Sequence, residues 1–226
     1  MRTLKPYAAI LLLAALLLLS GCYDARYYFN FKEEGDLVNE EGAWVTDTGV
    51  FGIGQDGLFL DESWITAPLK FAGDFKVKAN FWLRADYIKK GSIRMAISNR
   101  PYQANPWIWA RIYLIDLGTN AEMLMIDEGG TCHEIHYDYL FDFSSLDRSG
   151  WNEMTLEHVA GHISLRLNGR LIYEFDLVCC DSEYYALSLF FATEGTEDPS
   201  DPEFGIVLKD VKVEYTKGNA LPVDYI

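Results

Sequence analysis

Between Met154 and Asp176 the sequence alternates apolar and polar side chains with a period of two, the repeat by which an extended strand buries one face. The pairs Ala160-Gly161 and Asn168-Gly169 divide this stretch into three runs. Asn-Gly is the strongest two-residue signal for a β-hairpin, because both residues tolerate a positive φ. The pattern therefore predicts a three-stranded meander whose buried face carries Ile163, Leu165 and Leu167.

The same kind of pattern continues through the chain beyond its N-terminal segment. No long stretch repeats apolar residues at the helical spacing of i, i+3, i+4 and i+7, and Gly, Asn and Asp turns separate short apolar runs. Evenly spaced short strands with turn signals predict an antiparallel β-sandwich or barrel. The predicted strands are Tyr27–Phe31, Trp44–Thr46, Leu58–Leu60, Trp64–Thr66, Phe75–Arg84, Ser92–Ser98, Ile108–Asp116, Met123–Asp127, His133–Leu140, Trp151–Val159, His162–Leu167, Arg170–Phe175, Ala186–Ala192 and Ile206–Tyr215.

The first 21 residues have the composition of an export signal. Arg2 and Lys5 precede an apolar run, Ala8 to Leu19, which is shorter than the roughly 20 residues that cross a bilayer. The run ends in Leu19-Ser20-Gly21-Cys22, which resembles the lipobox of bacterial lipoproteins. That resemblance implies cleavage before Cys22 and lipidation of its thiol, and several acyl chains hold a protein at a bilayer where one binds only marginally. A plain secretory signal or an uncleaved membrane anchor is the alternative.

This interpretation divides the chain into a signal peptide (1–21), a short lipidated tether (22–26), a β-sandwich (27–216) and a C-terminal tail (217–226). No long Ser-, Gly- or Pro-rich tether follows Cys22, so we expect the domain to lie close to the lipid surface. In well-studied Gram-negative lipoproteins an Asp directly after the Cys retains the protein in the inner membrane. Tyr23 occupies that position here, so the resemblance implies a lipid-anchored protein of the cell envelope and, in a Gram-negative cell, favours the outer membrane.

The charge of the chain restricts its partners. Without Arg2 and Lys5, the remaining residues include 17 basic and 34 acidic side chains, a net charge of −17. Nucleic acid binding needs Lys and Arg to replace counterions, and anionic lipid head groups also repel such a surface. A neutral ligand such as a sugar, or a cation, suits this chain better.

Three cysteines follow Cys22. They are Cys132, Cys179 and Cys180, and outside the cytoplasm thiols tend to pair. Because a bond between adjacent cysteines closes a strained small ring, we expect a disulfide between Cys132 and either Cys179 or Cys180. Buried free thiols are the alternative. The cysteine spacing is not that of a zinc finger, so we predict no metal site there.

Several short motifs resemble those of concanavalin A-like jelly rolls, which include laminin-G-like modules, family 16 glucanases and keto-disaccharide hydrolase-like domains. The resemblance implies a two-sheet antiparallel β-sandwich over nearly all of the chain after the signal, and its motifs speak for fold more than for chemistry. The motifs are Gly42-Ala43-Trp44-Val45, Gln55-Asp56-Gly57-Leu58, Gly73-Asp74-Phe75-Lys76-Val77, Trp151-Asn152-Glu153, Gly161-His162-Ile163, Leu167-Asn168-Gly169-Arg170-Leu171-Ile172 and Val207-Leu208-Lys209-Asp210-Val211-Lys212-Val213.

Alternation also assigns faces to the strands that carry aromatic and polar residues. Phe81 and Leu83 fall on the apolar face of Phe75–Arg84, and Trp82 and Arg84 fall on the opposite face. If this strand shares a curved sheet with Ile108–Asp116 and His133–Leu140, the outer faces form a concave carbohydrate site of aromatic and planar polar groups. A covering layer over this face is the alternative. The predicted ligand-binding residues are Trp82, Arg84, Trp107, Trp109, Arg111 and Tyr113.

Glu134, His136 and Asp138 share one face of a predicted strand and are the candidate catalytic residues. They could supply a general acid, a base and an orienting partner, or ligate a metal. Four residues separate Glu134 from Asp138, so their Cα atoms lie about 13 Å apart on an extended strand. That separation does not suit a retaining glycosidase pair, whose carboxyls are about 5–5.5 Å apart. The family 16 pattern E-[ILV]-D-x-x-E is also absent, because His136 replaces its Asp.

These observations leave three functions open. Carbohydrate binding at the cell envelope leads, a glycoside-processing enzyme using Glu134, His136 or Asp138 comes second, and a protein-interaction lipoprotein with a covered concave face is third. No cofactor is predicted. The acidic loop from Glu194 to Glu203 could bind calcium but lacks EF-hand spacing, so a solvated loop is the simpler interpretation.

The lipobox generates the first prediction. Cys22→Ser should abolish lipidation, because serine lacks the thiol that accepts the lipid, and Cys132→Ser should leave lipidation intact. Detergent phase partition and mass spectrometry measure the outcome. A Cys22→Ser protein that still enters the detergent phase at the mature size contradicts the lipoprotein interpretation.

Overall fold

A computed structural model describes residues 23–31, 44–46, 50–61, 63–83, 90–98, 111–115, 120–125, 135–139, 146–147, 149–176, 184–194 and 206–222. Every regular element in these ranges is a strand. The strands are β1 (Ala25–Asn30), β2 (Val45–Thr46), β3 (Val50–Gly54), β4 (Gly57–Asp61), β5 (Ser63–Phe71), β6 (Phe75–Leu83), β7 (Lys90–Ser98), β8 (Arg111–Ile115), β9 (Asn120–Met125), β10 (Ile135–Tyr139), β11 (Trp151–Val159), β12 (His162–Leu167), β13 (Arg170–Asp176), β14 (Tyr185–Glu194), β15 (Ile206–Tyr215) and β16 (Ala220–Pro222).

The strands form antiparallel sheets that pack as a sandwich. One sheet has eight strands in the order β13-β12-β11-β6-β15-β4-β3, with β1 also paired to β15. The second has the order β16-β5-β14-β7, with β2 paired to β5, and a three-stranded sheet of order β10-β9-β8 follows with β8 lying beside β7. This architecture confirms the predicted two-sheet antiparallel β-sandwich.

The predicted meander forms as expected. β11 pairs with β12 and β12 with β13, and the two turns have positive φ at both central residues: 50° and 81° at Ala160 and Gly161, 50° and 79° at Asn168 and Gly169. Ile163, Leu165 and Leu167 are buried, as alternation predicts.

The core lies between the inward faces of the two larger sheets. Phe81 is fully buried as predicted, whereas the side chain of Leu83 lies outside the described set. Removing this much apolar surface from water is the main stabilising contribution of such a core. Its largest members are Phe31, Trp44, Leu58, Ile65, Phe71, Phe75 and Phe81.

The Trp-Asn-Glu motif has a structural explanation. The buried Asn152 side chain accepts a hydrogen bond from the Asp147 amide at 2.8 Å and donates to the Asp147 carbonyl at 2.7 Å. Asn168, in the hairpin turn, donates to the same Asn152 oxygen at 2.8 Å and accepts from the Glu153 amide at 2.8 Å. The motif Trp151-Asn152-Glu153 and the motif that contains Asn168-Gly169 are therefore joined by one hydrogen-bond network, which fixes the turn against β11.

An aromatic cluster ties β1 to the segment before β2. The Trp44 indole donates to the Tyr27 hydroxyl at 3.1 Å, and burial raises the pKa of Tyr27 to about 12. Phe31 meets Trp44 edge to face at 5.3 Å between ring centroids, and Phe29 meets Phe31 at 5.0 Å. Such pairs add about 0.5–1.5 kcal/mol each beyond area burial.

Four features of the fold differ from the sequence prediction. β5 runs on to Phe71 through Pro68, which lies where the register against β14 shifts, so its missing N–H costs no regular ladder bond. β3 was not predicted, because its alternate residues Gly52 and Gly54 carry no polar or apolar signal. β16 lies within the segment assigned to the C-terminal tail, and β1 begins within the assigned tether.

Leu165 provides a test of the core. Leu165→Ala should lower the free energy of unfolding by about 2–5 kcal/mol, because it removes buried surface and leaves a cavity. Leu171, 38% exposed in the same meander, is the matched control, and Leu171→Ala should change stability by less than about 0.5 kcal/mol. Denaturant unfolding measures both, and equal effects would place Leu165 outside the core.

Candidate ligand-binding surfaces

The predicted site residues are distributed over two sheets. Trp82 lies in β6 of the eight-stranded sheet, whereas Arg111 and Tyr113 of β8 and His136 and Asp138 of β10 lie in the three-stranded sheet. The expectation that these three strands share one sheet is therefore wrong. Alternation assigns a face within a strand but contains no information about sheet membership. Several predicted residues lie outside the described residues: Cys22, Arg84, Trp107, Trp109, Cys132, Glu134, Cys179 and Cys180.

The three-stranded sheet aligns its predicted residues in two cross-strand rows, called here the polar rows. Cross-strand partners occupy the same face of a sheet, so Glu122 joins the predicted set. The sequence did not indicate Glu122, because it lies one position before the predicted strand Met123–Asp127 and only register places it opposite Asp138. The rows are Arg111, Leu124 and His136, and Tyr113, Glu122 and Asp138.

The middle of the five-stranded sheet is buried on both faces. Trp64, Thr66, Ala186 and Ser188 are all at most 4% exposed, although they alternate with core residues such as Ile65. The hydroxyls of Thr66 and Ser188 share a hydrogen bond of 2.9 Å. These residues lie on β5 and β14, outside the strands of the predicted concave face, so their burial does not test the alternative of a layer over that face. In this conformation a ligand cannot contact these four residues.

The outer face of the eight-stranded sheet carries a row of apolar residues across four strands, β4, β15, β6 and β11. Val207 of β15 pairs with Phe59 on one side and Trp82 on the other, and Trp82 pairs with Trp151. We call Phe59, Val207, Trp82 and Trp151 the aromatic strip; Val207 is buried, 2% exposed, and joins Phe59 to Trp82, so the rings provide the accessible surface. The two indole rings lie 5.7 Å apart at 52°, and Trp151 is 36% exposed. The Lys209 ammonium lies 5.2 Å from the Trp151 ring centroid.

A shallow depression of about 140 Å³ adjoins the strip at the β3–β4 hairpin. Gly52 pairs with Phe59, and a Cβ added at Gly52 or Gly54 would meet no atom within 4 Å. Two glycines thus keep this end of the strip open. At Gly57, by contrast, φ is 141° and a Cβ would collide with the Leu208 carbonyl, so the hairpin itself requires glycine there. The lining residues are Gly52, Ile53, Gly54, Asp56, Gly57, Phe59 and Val207.

The remainder of this outer face is covered with ion pairs. Opposite charges face each other between β6 and β11 and along β15, and the Lys212 hydrogen bond holds the pKa of Glu214 below its ordinary value. Such exposed pairs contribute little stability each but leave few free charges for a ligand. The pairs are Lys76–Glu157 at 3.3 Å, Lys78–Glu153 at 3.1 Å, Lys212–Glu214 at 2.7 Å and Arg26–Glu214 at 3.5 Å.

The start of the described chain is fastened to the other end of this face. The Tyr23 hydroxyl donates to Glu157 at 3.3 Å, and burial raises the pKa of Tyr23. Asp24 accepts a hydrogen bond from the Lys217 amide at 2.5 Å. Glu157 is in register with Lys76, six residues from Trp82, so Tyr23 and the strip lie about 20 Å apart along the strands.

The described residues contain neither a metal-binding cluster nor a membrane-spanning helix. Within these ranges no group of three or more His, Cys, Asp or Glu side chains could hold a metal ion. The same ranges contain no helix long and apolar enough to cross a membrane. The acidic loop considered for calcium, 195–203, lies outside them.

Solved structures match this fold at low sequence identity. A laminarinase from Flavobacterium sp. UMI-01 matches with a TM-score of 0.57 and 10% identity, over 83% of this chain and 98% of that one. A Bacteroides ovatus mixed linkage glucan GH16 in complex with G4G4G3G product matches at 0.55 and 11%, over 83% and 98%. The carbohydrate binding module CBM66 from Bacillus subtilis matches at 0.50 and 14%, over 78% and 97%.

These similarities show that the chain has the concanavalin A-like jelly-roll fold, as the sequence motifs implied. No protein-family model matches the chain, and no curated protein matches its sequence.

The edge of the eight-stranded sheet generates a pH prediction. The hydrogen bond from His162 Nδ1 to Asp176, 2.7 Å long, raises the pKa of His162 above 6.5, and Glu174 at 3.7 Å adds to the effect. Protonated His162 therefore stabilises the fold below about pH 6.5, and this contribution is lost as pH rises through the raised pKa. Because the His162 side chain is 44% exposed, screening keeps the contribution below about 1 kcal/mol.

Asp176→Asn should lower the pKa of His162. It should also reduce the free energy of unfolding slightly at about pH 5.5 and leave it unchanged at about pH 9. Imidazole titration by NMR and denaturant unfolding measure the two effects. An unchanged titration of His162 in the variant would show that Asp176 does not hold its proton.

Proposed function

We propose that this chain is a lipid-anchored cell-envelope protein whose β-sandwich binds a carbohydrate. The observation that carries the proposal is the register of the three-stranded sheet, which places Tyr113, Glu122 and Asp138 in one row and Arg111 and His136 in the next. An aromatic residue beside planar hydrogen-bonding groups is the combination that recognises sugar rings and their hydroxyls. The strong net negative charge of the chain also favours a neutral ligand over nucleic acid.

Structures of the same fold support this class of ligand. They include a carbohydrate binding module, a laminarinase and a GH16 protein in complex with G4G4G3G product. At 10–14% identity the likeness concerns the fold, so the binding residues must come from this chain itself. We place them in the polar rows of the three-stranded sheet, since the centre of the five-stranded sheet around Thr66 and Ser188 is buried.

Anchoring is the second part of the proposal and rests on the lipobox ending in Cys22. Tyr23 and Asp24, the next two residues, each hydrogen-bond to the domain. A lipid on Cys22 would therefore join a chain that is already fixed to the sandwich, which would hold the domain against the membrane surface. Tyr23 after the lipidated Cys favours the outer membrane.

A glycoside-processing enzyme is the second candidate, and one observation favours it. Glu122 lies directly opposite Asp138. Cβ atoms of directly opposed residues are about 4.5–5.5 Å apart, so an opposed Glu and Asp can bring their carboxyls to the separation of about 5–5.5 Å that retaining glycosidases use. In this alternative the pair Glu122–Asp138 replaces Glu134–Asp138, with one residue as general acid and base and the other as nucleophile. Asp138 remains a candidate catalytic residue, as the sequence analysis predicted, and His136, the other such residue in the three-stranded sheet, occupies the adjacent row.

Isosteric substitution separates the two candidates. Glu122→Gln and Asp138→Asn keep shape and most hydrogen-bonding capacity but cannot ionise, so a binding protein should retain affinity for its glycan within a few-fold. An enzyme should lose turnover by a factor of about 10²–10⁴. Calorimetric titration and a reducing-end assay against a panel of soluble glycans measure the two properties.

Glu174→Gln is the matched control, because Glu174 is an exposed carboxylate at the edge of the other sheet. Tyr113→Ala should weaken binding in either case, since it removes the aromatic contact. If the folded wild-type protein neither binds nor cleaves any glycan of the panel, the carbohydrate proposal fails and a protein-interaction role takes its place.

A further inference from the structure

We propose that the aromatic strip on the eight-stranded sheet is a second saccharide-binding surface, separate from the polar rows. It would take a linear, uncharged oligosaccharide chain lying across β3, β4, β15, β6 and β11. The inference rests on the proposed carbohydrate-binding function and adds a site to it, on the sheet that the sequence did not assign to the ligand.

The chemistry of the strip suits a sugar ring. Trp82 and Trp151 offer neighbouring indole surfaces at 5.7 Å, and an aromatic surface covers the apolar C–H patches of a pyranose. The next position along the same strands carries Asn80 and Glu153, about 6–7 Å away. Asn80 already donates to Asp210 at 2.7 Å, so amide and carboxylate groups are held in place beside the rings. Apolar faces flanked by oriented planar polar groups bind C–H patches and hydroxyls at once.

The shape of the strip favours a chain over a single sugar. Five adjacent strands contribute to the row from Gly52 to Trp151, and four interstrand spacings amount to about 19 Å. The depression at the Gly52 end and the tilted indole pair at the other end provide two contact regions on one line. Their separation requires an elongated ligand, and the open space at both glycines leaves room for one of its rings.

The aromatic strip differs in charge from the rest of the outer face of the eight-stranded sheet. Ion pairs cover the opposite end, from Lys76–Glu157 to Lys78–Glu153, whereas the strip itself is apolar. The bulge between Leu208 and Asp210 brings Lys209 to the strip, where its ammonium lies over part of the Trp151 ring. An ammonium at that place can donate to sugar hydroxyls. A neutral polysaccharide is therefore a better match than a polyanion, which the acidic chain repels.

The position of the strip also fits a ligand outside the membrane. The proposed lipid anchor precedes Tyr23, which is hydrogen-bonded to Glu157, and the strip lies about 20 Å further along the same face. A protein held at the bilayer through Cys22 would therefore present Trp151 and the depression away from the lipid.

The test uses the full chain purified in detergent, with cellohexaose and laminarihexaose as neutral linear probes. Trp151→Ala should lower affinity for at least one probe by about five- to thirty-fold, the usual range for a central aromatic contact. Gly52→Val should lower it as well, because the added side chain fills the depression. Valine suits a strand, and the space at Gly52 is open, so this variant should keep its melting temperature. It therefore tests the site even if Trp151→Ala fails to fold.

Leu171→Ala is the matched control. Leu171 of β13 is an exposed apolar residue of the same sheet, 38% exposed, and it does not belong to the strip. Its removal should leave affinity within two-fold of wild type. Intrinsic tryptophan fluorescence should change on titration in the wild type and change less in Trp151→Ala.

Outcomes for the two sites can be separated. If Tyr113→Ala abolishes binding while folded Trp151→Ala and Gly52→Val bind as wild type, the strip is not a site and the proposed function stands. If the strip variants abolish binding and Tyr113→Ala does not, the strip stands and the polar rows are not the site. A folded wild-type protein that binds neither hexasaccharide overturns the inference, and the wider glycan panel then decides the proposed function.

Discussion

The pairing of β6 with β11 and β15 is the constraint on which the rest of the eight-stranded sheet depends. Phe75, Val77, Ala79 and Phe81 alternate into the core from this central strand, and all are buried. Its other face carries the lysines that meet Glu153 and Glu157, and ends in Trp82. A slip of one residue would exchange the two faces, exposing the core and burying charge. The same register that protects the core therefore builds both the ion pairs and the aromatic strip.

Side-chain hydrogen bonds fix the ends of this arrangement. Asn152 holds the segment before β11 and, through Asn168, the turn between β12 and β13. The net contribution of a hydrogen bond to the free energy of folding is small. Removing one partner of a buried amide costs more than that contribution, because the other partner stays buried without a hydrogen bond. At the opposite end, Tyr23 and Asp24 fasten the N-terminal residues. The outer face thus has the hydrogen-bonded residues Tyr23 and Asp24 at one end and the ordered turn near Trp151 at the other.

The two candidate surfaces belong to different sheets and differ in chemistry. The polar rows combine Arg111, Tyr113, Glu122, His136 and Asp138 by register, and could support either binding or acid–base chemistry. The aromatic strip is a row of apolar side chains, so the role proposed for it is binding. A jelly roll with both surfaces would bind a glycan chain at the aromatic strip and bind or cleave it at the polar rows. The sequence analysis considered a single open concave face, whereas the centre of the five-stranded sheet is buried on both of its faces.

The sequence by itself determined the local elements. It predicted the antiparallel β-sandwich, the Met154–Asp176 meander with its two turns, and the buried face of β6, because alternation and turn chemistry act between neighbours along the chain. Tertiary structure decided which strands share a sheet and which residues meet. Trp82 lies beside Trp151 and across Val207 from Phe59, and Glu122 lies opposite Asp138, only through pairings between distant segments. Register and sheet order are set by burying the apolar faces of all strands at once. They therefore cannot be inferred from any single stretch of sequence.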